Sequence, residues 1–103
     1  MPEYKASYLE DIKKFIEFLP DDDQGKIKSS IITMESGDFV SVHIKTLRTP
    51  IKELIVKKYR LIFFTRHTII YFIGAFIKKT AKTPKNEIIN AEKRYKTIIR
   101  INT

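Results

Sequence analysis

The sequence predicts an α+β domain: an N-terminal αα-hairpin and a C-terminal helix packed on an antiparallel sheet of three to four strands. Apolar residues recur at helical spacing near both ends of the chain. Between them, Ile51–Lys57, Tyr59–Thr65 and Thr68–Ile77 are apolar runs of strand length, joined by short polar turns into a meander. With 103 residues and a hydrophobic share of 43%, residues 1–103 form a single domain that can bury a core without staples.

Met1–Ala6 is too short to assign, and Glu3–Ala6 is at most a stub of edge strand. Ser7 followed by Glu10 has the spacing of a capping box. Leu9, Ile12, Phe15, Ile16 and Leu19 then form one apolar stripe, which Pro20 stops at Phe18 or Leu19. Asp21, Asp22 and Asp23 place negative charge at the next helix N-terminus, a better account of the run than a metal site. Ile27, Ile31 and Met34 give the second helix a thinner apolar face, and Gly37 ends it. Phe39–Ile44 alternates as a short extended piece, and Thr49-Pro50 marks a turn or a strand entry. Thr68–Ile77 is nearly continuous in apolar residues and reads as central to the sheet; Gly74 suggests a bulge or a close backbone approach. Thr83 caps the last helix with Pro84 at its first position. Ile88, Ala91, Tyr95 and Ile98 form the buried stripe of that helix.

Charge is segregated along the chain. Residues 1–38 hold nine acidic and five basic side chains (−4), and residues 39–103 hold three and fifteen (+12), giving +8 in all. Such a distribution predicts an electropositive face for an anionic partner, nucleic acid being the commonest. No cysteine is present, which excludes disulfides and thiolate metal sites and leaves the cytoplasm as the default compartment. The longest apolar run, Ile69–Ile77, is far short of the roughly 20 residues a spanning helix needs. The expectation is a soluble protein without a membrane partner.

The apolar runs are bracketed by cations: Lys57, Lys58 and Arg60 before them, Lys78, Lys79 and Lys82 after. Antiparallel pairing brings Arg60, at the start of one strand, near Lys78 and Lys79, at the end of the next. A rigid sheet then gathers positive charge at one spot, where a phosphate is expected. Successive strand residues face opposite sides, so one of Lys78 and Lys79 faces away. Glu53 is a candidate base, with pairing to a neighbouring lysine as the other reading. Tyr59 is either a stacking surface for a base or a core residue. His43 and His67 are far apart in sequence, and Phe63, Phe64, Phe72 and Phe76 are assigned to the core.

The run FIGAFIKKTAKTPKNEIINAEKR resembles the signature of phage-related Gp49-like proteins, a group that includes HigB-type toxins of the RelE/ParE superfamily. The matching positions are Phe76, Lys78, Lys79, Thr80, Lys82, Thr83, Pro84, Glu87, Ile88, Ala91 and Arg94. Leu47, Ile51, Glu53 and Leu54 are similar to the family's strand of leucine followed by Glu-Leu-Arg. Tyr59-Arg60 with Phe63-Phe64 is similar to its Tyr-Arg strand, and FLPDDDQGKI to its Leu-Pro helix opening. Ile55 stands where the family usually has arginine, which removes one expected phosphate contact; Lys57 and Lys58 lie near enough to supply charge.

The resemblance implies a RelE-like fold and a type II toxin that cuts mRNA in the ribosomal decoding site, silenced by a HigA-type helix-turn-helix antitoxin. Cleavage by the substrate's own 2′-hydroxyl needs in-line geometry, charge neutralisation, a base and an acid. Arg60 offers a planar fork to two phosphate oxygens, and Lys79 and Lys78 add charge. Lys57, Lys58, Tyr59, Lys82 and Arg48 complete the expected RNA-binding set. No metal site, no histidine base and no small-molecule cofactor is expected. Two rivals stay open: a ParE-like toxin that inhibits gyrase by binding, and a basic binding module that has lost its chemistry.

Overall fold

The computed structural model describes residues 3–101, so Met1 and Pro2 of the unassigned opening lie outside it. Strand β1 (Lys5–Tyr8) leads into helices α1 (Glu10–Glu17) and α2 (Asp21–Glu35). Strands β2 (Ile44–Arg48), β3 (Ile51–Val56), β4 (Tyr59–Arg66) and β5 (Ile69–Ile77) follow, and α3 (Lys85–Ile101) closes the domain. The strands form one five-stranded sheet in the order β1-β5-β4-β3-β2. The meander β2–β5 is antiparallel, as its short turns require, while β1 pairs in parallel with β5.

The expected three to four strands are therefore five, because both flanks of the meander are longer than the sequence suggests. Residues 5–8 pair with Ile69–Phe72, and the pairing reaches on to the Leu9 amide, which donates to the Phe72 carbonyl. That pairing takes Ser7 into the strand, so α1 starts behind Leu9 with no side-chain cap and no capping box forms. At the other flank, Asp38 Oδ1 accepts from the Val40 and Ser41 amides and holds 38–41 in a turn. The extended piece expected at Phe39–Ile44 becomes a loop, and the strand begins at Ile44. Central position falls to β4, where Tyr59–Phe64 is buried without a break; β5 lies one place toward the edge.

The two faces of the sheet carry separate cores. On one, Ile12 and Ile16 of α1 and Ile27, Ile31 and Met34 of α2 cover Leu54, Val56, Tyr59, Leu61, Phe63, Ile70 and Phe72. On the other, Ala91, Tyr95, Ile98 and Ile99 of α3 cover Ile51, Ile62, Phe64, Ile73 and Phe76. Alternation along the strands makes this division, since residues i and i+2 share a face. All three helical stripes read from the sequence face the sheet, the α2 residues Ile27, Ile31 and Met34 fully buried and α3 burying only Ala91 completely. Gly37, at φ 91°, ends α2 as expected of a residue in the left-handed region.

Gly74 answers both readings of it. The β4–β5 register passes from Ile62↔Gly74 to Phe63↔Phe72, leaving Ile73 as a bulged residue. A Cβ on Gly74 would stand 3.2 Å from Ile62 Cβ and Cδ1. The bulge also gives Arg94 of α3 its anchor. Its Nη1 donates to the Ile73 carbonyl at 2.9 Å, and its Nη2 reaches Asp11 of α1 at 2.7 Å.

Candidate functional site

The basic residues singled out in the sequence meet at the end of the sheet made by the β3–β4 turn and the exit of β5. Lys57 takes the left-handed conformation, φ 54°, in the two-residue turn between Val56 and Tyr59. Beyond the last register pair, Tyr59↔Ile77, the Lys78 amide donates to the Lys58 carbonyl at 2.8 Å. Lys58 and Lys78 are thus cross-strand neighbours, and Arg60 lies opposite Phe76 just inside them. Strand alternation then splits the group between the two faces.

On the α1/α2 face, Tyr59 is buried in the core with its ring edge-on to Phe15. Its hydroxyl donates to Asp23 Oδ2 at 2.5 Å, and Lys57 Nζ donates to Asp23 Oδ1 at 2.5 Å. The hydrogen bond from Lys57, then that from Tyr59, holds the Asp23 carboxyl below the usual carboxylate range. The same bond to Asp23, helped by burial, raises the Tyr59 hydroxyl above its ordinary value. Lys58 Nζ sits 5.7 Å from the Tyr59 ring centroid. Chemically this is a closed brace: α2 grips the turn, and the Lys57 charge is already matched.

On the α3 face the geometry is looser. Glu53 is 1% exposed and Arg60 is 9% exposed. Arg60 Nη1 donates to the Lys57 carbonyl at 2.8 Å and to the Tyr59 carbonyl at 2.9 Å, fixing one edge of the guanidinium to the turn. Its Nε lies 3.2 Å from Glu53 Oε1, yet the alignment is too poor for a hydrogen bond and this buried nitrogen has none. The other Glu53 oxygen accepts from Thr83 Oγ1 at 2.6 Å. Thr83 closes the loop that follows β5, in which Lys79 and Lys82 are exposed, Lys78 is half-buried, and Thr80 Oγ1 donates to the Lys82 carbonyl. A fixed guanidinium at the sheet end from which a loop with exposed lysines departs suits an oxyanion with several oxygens to satisfy.

Several expectations are changed by this arrangement. The Tyr59 ring, 2% exposed, is a core residue and offers no stacking surface to a base. Arg48 lies toward the other end of the sheet, since it pairs with Ile51 while Arg60 pairs with Ile55, and its guanidinium is bonded to Glu92 at 3.0 Å. Glu53 pairs with an arginine, not a lysine. The Thr83 hydroxyl is drawn to Glu53, and α3 begins at Lys85, one residue past the expected Pro84, whose carbonyl accepts from the Glu87 and Ile88 amides. Alternation continued past Ile77 turns Lys78 toward the Arg60 side. The phenylalanines assigned to the core are there, and His67, at φ 57°, occupies its turn. His43 lies beside the basic end, its carbonyl accepting from the Ile55 amide at 2.9 Å.

Glu53, Thr83 and Asp23 are the members that sequence reasoning underrated. For Glu53 a signal existed: Ile51, Glu53 and Ile55 share one strand face, so a carboxylate stood in a line of apolar residues. Asp23 gave none, because its charge was accounted for by the helix terminus. Among the described residues, no group of three His, Cys, Asp or Glu side chains is placed to hold a metal ion, and no helix is long and apolar enough to cross a membrane.

Residues 14–96 match the family described as phage derived protein Gp49-like, a family associated with the toxins of toxin–antitoxin systems. No curated protein matches the chain.

Proposed function

The chain belongs to the Gp49-like family of phage-derived proteins, and from that premise we propose that it is a type II toxin that cuts mRNA on the ribosome. The observation that carries this reading is the Arg60 guanidinium, held by the turn carbonyls at the sheet end where the backbones of Lys58 and Lys78 pair. A donor fixed before the reaction stabilises developing charge without reorganising, which is where most catalytic electrostatics comes from. In this mechanism the substrate's 2′-hydroxyl attacks the adjacent phosphorus, Arg60 neutralises the phosphorane, and Lys78 stabilises the same charge, with Lys79 turned to the other side and adding only to the surrounding field. Lys58 and Lys82 hold the backbone on either side, while the Lys57 charge is taken up by Asp23. The products are a 2′,3′-cyclic phosphate and a 5′-hydroxyl. A HigA-type helix-turn-helix antitoxin is the partner, and the cytoplasm is the compartment.

Two observations favour a second reading, a binding module without chemistry. Ile55 stands opposite Arg60 in the register, and the Arg60 side chain is only 11% exposed with Glu53 offsetting its charge. Primer extension on mRNA from cells induced to make this chain alone decides between them. Growth arrest with discrete cuts in translated messages is the expected result. Arrest without cuts, together with inhibited supercoiling by purified gyrase, would replace the nuclease with a ParE-like inhibitor. Neither arrest nor cuts at confirmed soluble expression would leave only the binding module.

A further inference from the structure

We propose that Glu53 is the positioning residue of this site, setting the aim of Arg60 and the seat of the lysine loop with one carboxylate. The proposal rests on the nuclease reading for its kinetic consequences but not for its structural ones.

Three observations lead to it. Glu53 is buried and divides its two oxygens, one beside Arg60 Nε at 3.2 Å and the other accepting from Thr83 Oγ1 at 2.6 Å. Thr83 ends the loop carrying Lys78, Lys79 and Lys82, so the oxygen that holds Thr83 also holds that loop against β3. Arg60 is tied on its Nη1 side to the turn, which leaves Glu53 to fix rotation about the remaining axis. Glu53 and Arg60 sit on adjacent strands with Glu53↔Ile62 and Ile55↔Arg60 in register, so they are diagonal neighbours on one face.

As a stabilising pair the arrangement is poor. Burying two charges is costly, and the cost is recovered only when geometry and hydrogen bonds are good. Here Arg60 Nε has no hydrogen bond. As a joint the arrangement works, because one carboxylate oxygen accepts from Thr83 while the other faces Arg60 as its ion-pair partner, so that the loop and the guanidinium are linked through Glu53. A glutamine has only one acceptor oxygen and serves one of them.

A carboxylate this close also opposes phosphate binding. Positioning and repulsion therefore predict opposite signs in two measured quantities. Glu53→Gln removes the negative charge, so RNA on programmed ribosomes binds more tightly and KM falls. The same change releases either Arg60 or Thr83, so single-turnover cleavage falls by on the order of 10²-fold, as misplacement of a reacting group by about 1 Å does. Thr83→Val keeps the charge and frees the loop: cleavage falls, KM does not, and trypsin cuts after Lys79 and Lys82 faster than in the parent. Thr83→Ser restores both. The Arg60 Nε–H resonance, followed by nitrogen-resolved NMR, shifts in Glu53→Gln.

If the parent protein cuts no RNA, the nuclease reading fails, and the NMR shift and the trypsin pattern still decide the positioning claim. If Glu53→Gln does not fold, the Thr83 pair decides it alone. An unmoved Arg60 resonance together with an unchanged loop in Thr83→Val overturns the proposal. So does a fall in KM with an undiminished cleavage rate, which would make Glu53 a charge mask and nothing more.

Discussion

Two networks with the same parts stand on opposite faces of one turn. Asp23, Lys57 and the Tyr59 hydroxyl form one; Glu53, Arg60 and the Thr83 hydroxyl form the other. Each has a carboxylate, a cation and a hydroxyl. The first is saturated, with both carboxylate oxygens bonded at 2.5 Å. The second is not: its cation has a buried nitrogen without a hydrogen bond. A saturated network fastens, while an unsaturated one keeps capacity for something else. The difference teaches that position in a basic cluster says little about availability, since the charge of Lys57 is matched and the lysines of the loop after β5 have no acidic partner in the described ion pairs.

Arg60→Ala breaks the contrast most forcefully. It leaves the Glu53 charge buried without its partner, a loss of about 3–5 kcal/mol in such pairs, and it removes a preorganised donor worth on the order of 10²–10³ in rate. Urea unfolding and single-turnover cleavage measure the two. The double variant Glu53→Leu with Arg60→Met separates them, with stability regained because the buried charges are gone and cleavage still lost. A double variant that cuts at the parent rate would take Arg60 out of the mechanism.

Next in size is the brace. Asp23→Asn and Tyr59→Phe are expected to lower Tm by less than Arg60→Ala and to leave cleavage within a few-fold of the parent. Their signature is in the pH dependence. Asp23 has its pKa lowered on folding, so its contribution is present above its unfolded value of about 3.9 and is lost as pH falls through the lower folded value. Tyr59 is raised, so its contribution is present below its unfolded value of about 10 and is lost as pH rises through the folded one. Thermal melts across pH should show the acid limb flattened in Asp23→Asn and the alkaline limb flattened in Tyr59→Phe. If either variant moves cleavage as strongly as Arg60→Ala, the two networks are not functionally distinct.

Arg48→Ala should do least. Its bond to Glu92 is exposed, with a value of about 0–1 kcal/mol, and it lies toward the far end of the sheet. Lys78→Ala should weaken RNA binding more and reduce the log–log salt slope by about 0.7, the amount for one phosphate contact on a single strand. Equal effects of the two would mean that RNA runs along the sheet and is not gathered at one end.

How much of this was readable follows from which forces are local. The helical stripes and the three core strands are set by spacing alone, and residues such as Ile12, Ile31, Leu61 and Phe63 are buried as spacing requires. The bulge at Gly74 was legible because glycine inside a strand has few other reasons to be there. β1 was legible only as a stub of edge strand at Glu3–Ala6, two residues short of its true course at Lys5–Tyr8, since its four residues owe their conformation to β5, some sixty positions later. Lys58, Arg60 and Lys78 come together because antiparallel register is predictable once the turns are known. The partition of those charges was hidden: nothing near Asp23 in sequence announces Lys57, and nothing near Thr83 announces Glu53.

The contacts of Arg94 have a bearing on the order in which the molecule can assemble. Its partners are Asp11, 83 residues earlier, and the carbonyl of the bulged Ile73. β1 likewise waits for β5. Closing such long loops costs entropy before any contact returns it, so these unions form late. A chain still being synthesised can pair β2, β3 and β4 early, yet it lacks the edge strand's partner until β5 has emerged, and the Arg94 fastening until α3 has. Completion of the three-layer body therefore waits for α3, and an interrupted chain ending before α3 leaves that face of its sheet bare.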